Sequence, residues 1–209
     1  MKKNELSNYL YAYETLRDQI LSGELGGQTK LTEVMLAEKL GISRTPIRYA
    51  ISRLENEGLI KNKYVNIPSE TDIRHIFQVR SILEGFSAKY CADFITKNSL
   101  ERLAECIEKS RNGDTKTQLY NNYLFHQIIV EETHNPELIA IIQRMQSIIH
   151  LMRCTVTLNH RPHLLDEHDE IYTAIASGDG DLAERLLHEH LAKDLEFSLN
   201  KLTFFNKTN

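Results

Sequence analysis

Residues 32 to 58, "TEVMLAEKLGISRTPIRYAISRLENEG", carry the strongest constraint on how this chain folds. Two stretches of helical period are joined by only Gly41, Ile42 and Ser43. In the first, Met35, Leu36 and Leu40 share a face, Thr32 can cap the start, and Glu33 suits the positive end of the helix dipole. Gly41 follows where a helix end wants a left-handed residue. Ser43 is then placed to cap a second helix, from Arg44 to about Glu57, with Ile47, Ala50, Ile51 and Leu54 turned inward and Gly58 at its end. Pro46 falls in its first turn, where a missing N–H costs little. A helix, a short turn containing glycine and a second helix form the helix-turn-helix spacing.

The flanks extend this unit. Leu10, Tyr13, Leu16, Ile20 and Leu21 predict a helix over 9–22, which the glycines of "GELGGQ" stop. "TKL" reads as a short extended piece. After the second helix, "LIK" and "YVNI" are extended runs separated by Asn62 and Lys63, a small hairpin that makes the unit a winged helix-turn-helix. Pro68 and Ser69 close it, so one domain is expected over 1–69 and another over 70–209. Past Ser69 no segment reads as a strand. Six helices are predicted, in "TDIRHIFQVRSILEGFSAKYCADFI", "SLERLAECIEKS", "TQLYNNYLFHQIIVEE", "PELIAIIQRMQSIIHLMRCTVTL", "HLLDEHDEIYTAIAS" and "DLAERLLHEHLAKDLEFSLNKL". The fold class is therefore mainly α: a winged helix-turn-helix and an all-helical bundle of about six helices.

Composition narrows the setting. Charged residues are 26% and hydrophobic ones 41% of the 209, an ordinary globular balance. No apolar run approaches the roughly 18 residues of a membrane span. "MKKNELSNYL" has no apolar stretch after its lysines, so no signal peptide is expected. Cys91, Cys106 and Cys154 are odd in number and widely spaced, which fits a reduced, cytoplasmic protein. The formal net charge is −4, yet between Lys39 and Lys63 six basic residues face only Glu55 and Glu57. A basic segment on an acidic chain points to a local anionic partner.

With Ser43 as cap, Arg44, Thr45 and Arg48 project from the first turns of the second helix, away from Ile47, Ile51 and Leu54. That end of a recognition helix reaches base edges and phosphates in the major groove. An arginine fork suits guanine or phosphate, and the helix N-terminus itself attracts phosphate. Lys61 and Lys63 in the wing would hold the backbone. The plainer alternative is a pair of solvated arginines on a surface helix; the turn spacing, local charge and hairpin weigh against it.

"LTEVMLAEKLGISRTPIRYAISRLENEGLI" closely resembles the DNA-binding domain of GntR-type bacterial transcription regulators. "FQVRSILEGFSAKYCA", "FHQIIVEETHNPEL" and "EHDEIYTAIASGDGDLAERLLHEHL" resemble the opening, middle and end of the helical effector domain of the FadR-like branch, called FCD. Two departures stand in the first domain: Tyr49 occupies a position where the family usually has Glu, and the wing "KNKYVNI" is short and lacks glycine.

Nine histidines are present. His126 shares a helical phase with Asn122, Ile129 and Val130, His168 with Ile171 and Ile175, and His190 with Ala183 and Leu187. Three core-facing histidines on three helices can converge, and neutral imidazoles there suit Zn²⁺ or a related divalent ion such as Ni or Mn. Each can equally be a satisfied core residue. The resemblance implies the metal: the family's domains commonly use Asp-x-x-x-His on one helix and a His on each of two later ones, which His126, His168 and His190 match. Asn122 stands at the Asp position, so a ligating amide oxygen there would bring no charge. The resemblance also implies that Arg80 and Glu84 face the same cavity, where Arg80 could clamp an effector carboxylate. A surface Arg80 paired to Glu84 at i, i+4 is the alternative. His163 and His188 match no ligand position.

The expectation is a cytoplasmic homodimer that binds an inverted-repeat DNA operator, releases it on binding a small carboxylate, and by family habit represses. It would not be an enzyme. The competing readings are a helical metalloenzyme fused to a DNA-binding head, with Glu167 beside His168 the nearest candidate base, and a regulator with a lost effector site.

Overall fold

The computed structural model describes residues 3–26, 29–156 and 161–208, which form nine helices and one two-stranded hairpin. Inter-residue contacts divide the chain into two compact units: Met1–Ser69 with Gln143–Val156, and Glu70–Ile142 with Thr157–Asn209.

In the first unit, α1 (Lys3–Leu21) starts earlier than its apolar spacing predicts. Next come α2 (Glu33–Leu40), α3 (Arg44–Asn56), β1 (Ile60–Lys61) and β2 (Tyr64–Val65). The Thr32 hydroxyl accepts from Met35 N at 3.3 Å, capping α2. Gly41 is left-handed at φ 65°, a conformation that a Cβ would strain. Its geometry lets Ile42 N close back on the Ala37 carbonyl, and the chain turns at once into α3. Ser43 occupies the N-cap with extended backbone, but its hydroxyl accepts no cap hydrogen bond, which corrects the expected role of its side chain. Leu16 and Ile20 of α1, Leu36 of α2, and Ile47, Ala50, Ile51 and Leu54 of α3 bury into one core with Leu59, Ile60 and Val65. Each large side chain there contributes about 1.5–3 kcal/mol by leaving water. Met35 and Leu10 remain partly exposed, at 37% and 40%.

The hairpin pairs Ile60 with Val65 and Lys61 with Tyr64. Asn62 and Lys63 both take positive φ, 52° and 66°, the two-residue turn whose twist matches the strands. The predicted extended piece also joins: Lys30 bridges Tyr64, and Leu31 N donates to the Lys63 carbonyl.

The second unit contains α4 (Glu70–Phe94), α5 (Lys97–Asn112), α6 (Thr115–Glu131), the start of α7 (Pro136–Val156), α8 (Leu164–Ala176) and α9 (Gly180–Thr208). All six predicted helices are present. The fourth was expected to run into Thr157 and Leu158, which lie outside the described residues; the sixth continues six residues past its predicted end. Helices α4 and α9 pack antiparallel: Gly85 meets His188, while Lys89 pairs with Asp181 and Glu184. A Cβ at Gly85 would stand 2.1 Å from His188 Nε2, so any larger residue there would require the imidazole to move. The buried stripe of α4 is Ile73, Phe77, Arg80, Glu84, Ala88 and Cys91. This corrects the simple apolar face: Val79, Ile82 and Phe86 are exposed, and two charged residues take core positions. No helix of the described residues is long and apolar enough to cross a membrane.

Candidate nucleic-acid interface and candidate metal centre

On the first unit Arg44, Thr45 and Arg48 are exposed on the first turns of α3, backed by buried Pro46 and Ile47. Lys61 and Lys63 are exposed on the hairpin. Arg53, part of the same basic segment, is used differently. It donates to Glu57 (3.0 Å) and to the Tyr9 hydroxyl (3.1 Å), and its guanidinium lies 3.9 Å over the Tyr13 ring, tying α3 to α1. Burial, helped by a hydrogen bond to Glu57, pushes the Tyr13 hydroxyl up to about 12, so it stays a neutral donor to Glu57 at 2.8 Å. The sequence does not forecast a second ion pair: Glu33 of α2 receives both Arg44 (3.3 Å) and Arg48 (2.9 and 3.0 Å).

In the second unit His126 of α6, His168 of α8 and His190 of α9 are all buried, and one ligand nitrogen from each lies within 4.8 Å of the others. The Nε2 atoms of His126 and His190 are 3.2 Å apart. Phe125 stacks on His168 with centroids 4.1 Å apart, which fixes that ring. Asn122 is buried one turn before His126.

Carboxylates lie against the far nitrogens of two of these rings. Glu84 Oε2 lies 2.7 Å from His126 Nδ1, and Glu167 Oε2 lies 2.8 Å from His190 Nδ1. Burial works against the Glu84 charge, but Arg80 and His126 outweigh it and hold the carboxyl down at about 2. Burial likewise opposes Glu167, and hydrogen bonds from His190, Arg161 and Lys193 hold it at about 2. Burial lowers His126 to about 4 against the pull of Glu84, and burial with the two neighbouring imidazoles pushes His168 well below its usual range. His126, neutral beside the ionised Glu84, donates through Nδ1, which leaves its Nε2 lone pair facing His190 Nε2. His190 Nδ1 lies between Glu167 Oε2 at 2.8 Å and Arg161 Nη2 at 3.0 Å.

At 3.2 Å the two Nε2 atoms meet through a shared proton or a shared cation. Two nitrogens each ~2.0–2.1 Å from a tetrahedral ion stand roughly 3.3–3.4 Å apart, so the spacing fits a metal such as Zn²⁺. Carboxylates holding the far nitrogens of ligating histidines are the usual supporting shell of such a centre. The residues present therefore fit a divalent ion.

Arg80 and Glu84 are each 1% exposed, with Arg80 Nε donating to Glu84 at 2.7 Å. The i, i+4 pair is present, but not on the surface. Arg80 Nη1 is buried and, among the described residues, has no hydrogen-bond partner. Glu167 is committed to His190, Arg161 and Lys193, so it is not a free base beside His168. Arg161, just before α8, also donates to Asp194 at 2.8 Å, bracing α8 against α9. Asp194 was legible as one turn past His190 on the same face; Arg161 had no such signal. An open cavity of about 520 Å³ borders Glu167, and Asp166, Glu170 and Glu196 outnumber Arg161 and Lys193 in its lining.

Comparison with known proteins bears on both units. Residues 8–63 match the family described as bacterial regulatory proteins, gntR family, and residues 75–193 match the FCD domain. An HTH-type transcriptional regulator of Bacillus subtilis (strain 168), YdhC, is 29% identical over 200 residues, covering 90% of this chain and 89% of its own length. The HTH-type transcriptional repressor RspR of Escherichia coli (strain K12) is 26% identical over 190 residues, 86% of this chain and 83% of its own. The solved structure of E. coli McbR/YncC has the same fold, with a TM-score of 0.76 at 21% identity over 93% of this chain and 98% of that one. A GntR family member from Pseudomonas syringae pv. tomato str. DC3000 follows at 0.59 and 20%, covering 97% and 89%.

Proposed function

The chain belongs to the GntR family of bacterial regulatory proteins that carry an FCD domain, a family of DNA-binding transcription regulators and not enzymes, and on that premise we propose that it is a repressor whose helical domain binds a divalent metal and which is released by a small carboxylate. The carrying observation is the convergence of His126 and His190 Nε2 at 3.2 Å, each imidazole held at its other nitrogen by a buried carboxylate. His126, His168 and His190 would hold the divalent ion, Zn²⁺ first and Ni or Mn as alternatives, with the Asn122 amide oxygen completing the set. The ion would supply a Lewis-acidic site for an effector carboxylate.

Arg80 is the protein's own carboxylate clamp. Its Nη1 lacks a partner in a buried setting where an unmet donor is costly, so an anionic oxygen arriving there gains more than it would in water. The acidic cavity beside Glu167 repels a carboxylate, which favours Arg80 over Lys193 for this role. Arg44, Thr45 and Arg48 would read an operator half-site in the major groove, with Lys61 and Lys63 on the backbone. One head reads one half-site, so the protein would act as a homodimer on an inverted repeat, in the cytoplasm.

The test is elemental analysis of the purified protein, followed by duplex binding with and without chelator and a panel of small carboxylates. The expected result is about one divalent ion per chain and a carboxylate that weakens duplex binding only in metal-loaded protein. No bound ion, and no change in thermal midpoint on chelation, would rule the metal out and leave a regulator without this effector site. Asn122→Asp should tighten the metal by adding a charge to the ligand set; unchanged affinity would remove Asn122 from it.

A further inference from the structure

Glu33 is the first residue of α2, and it lies 11 and 15 positions from the arginines it holds, beyond any local helical pairing. Arg48 gives it both Nε (3.0 Å) and Nη2 (2.9 Å), a two-point fork, and Arg44 adds Nη2 at 3.3 Å. Even so, the Arg44 and Arg48 side chains remain 60% and 62% exposed. A guanidinium carries five N–H donors in one plane. With the Nε/Nη2 edge of Arg48 on Glu33, both hydrogens of Nη1 and one of Nη2 point the other way. That free edge is a pair of parallel donors, the arrangement that meets guanine O6 and N7.

We propose that Glu33 is a positioning residue for sequence reading: it clamps Arg48, and more loosely Arg44, so that their free edges meet guanine rather than phosphate. Two effects act together. The clamp removes arginine rotamer freedom before DNA arrives, which lowers the ordering cost of the base contact. The carboxylate also places a negative charge beside the two cations, which weakens their attraction to any phosphate. The first effect favours the right sequence and the second disfavours all others, and specificity is the difference between them. The proposal rests on the DNA-reading role of α3, and the experiment separates the two.

Sites are selected from a random-sequence duplex library with the full-length protein. Wild type, Glu33→Gln and Glu33→Asp are then titrated against the selected duplex, an unselected random duplex, and the selected duplex with its guanines replaced one at a time by 7-deazaguanine, which lacks N7. Salt is varied for each. Glu33→Gln should lose about tenfold in affinity for the selected duplex, the scale of one bidentate base contact. Its affinity for the random duplex should hold or rise, and its log–log salt slope should steepen by about 1–2 as the freed arginines take phosphates. The penalty of the critical 7-deazaguanine should shrink, and Glu33→Asp should restore part of it. A Glu33→Gln protein that keeps the wild-type discrimination and 7-deazaguanine penalty, or tightens on both duplexes equally, would overturn the proposal and make Glu33 a merely competing charge. If wild type enriches no sequence at all, the DNA-reading role of α3 fails first and takes the proposal with it.

Discussion

Two of the arginine–glutamate forks in the molecule have opposite settings. Arg80 and Glu84 meet at 2.7 Å inside the helical unit, each 1% exposed. Arg48 and Glu33 meet at 2.9 Å on the DNA-binding unit, with the arginine 62% exposed. The chemistry is the same and the consequences differ. A buried pair cannot exchange its partner for water, so it fixes geometry: Glu84, charged because of Arg80, in turn sets the tautomer of His126. An exposed pair contributes little to stability and leaves the other edge of the guanidinium open to an outside partner. The buried fork therefore suits a permanent scaffold for ligands, and the exposed fork suits a clamp that aims a side chain at a partner.

The largest test of this contrast is Glu84→Ala. It would leave the Arg80 guanidinium buried without a counter-charge, and about 3–5 kcal/mol of stability should be lost in urea unfolding. Glu33→Ala, the matched exposed change, should leave the unfolding midpoint near wild type; equal losses would break the comparison. Next in size is His168→Ala. Removing one of three imidazoles should weaken Zn²⁺ binding on the order of a hundredfold or more, beyond the effect typical of supporting residues. Duplex binding by the effector-free protein should be unchanged, and a parallel loss of DNA affinity would couple the two regions more tightly than proposed.

Arg48→Ala comes third. Affinity for a selected duplex should fall roughly tenfold to a hundredfold, the range of a bidentate base contact, with an unchanged melting curve. Retained affinity would remove Arg48 from the reading surface. The smallest effect sharpens the description of the head itself. Thr32→Ala should cost about 1 kcal/mol, because the Thr32 hydroxyl caps α2, whereas Ser43→Ala should cost far less, because the Ser43 hydroxyl accepts nothing. Equal costs in thermal melts would reverse that distinction.

Much of this was legible before the structure. Gly41, Ser43 and the spacing of Ile47, Ile51 and Leu54 predict two helices and their tight turn, because caps and periodicity are properties of adjacent residues. The burial of His126, His168 and His190 follows from the same periodicity within each helix. It failed on α4, where Val79, Ile82 and Phe86 are exposed while Arg80 and Glu84 take the core. Hydrophobicity marks a face as buried only when the core is apolar, and here it holds a charged pair.

What the amino-acid sequence determined by itself was local: which segments are helical, where they stop, and which side of each helix carries arginine or histidine. The tertiary structure alone decided the partners. Glu33 with Arg48, Glu84 with His126, and Glu167 with His190 are separated by 15, 42 and 23 residues. Helical spacing places a side chain on a face, but only the packing of one helix on another sets which two faces meet. That meeting turned exposed arginines into a clamped fork and three buried histidines into a set of converging ring nitrogens.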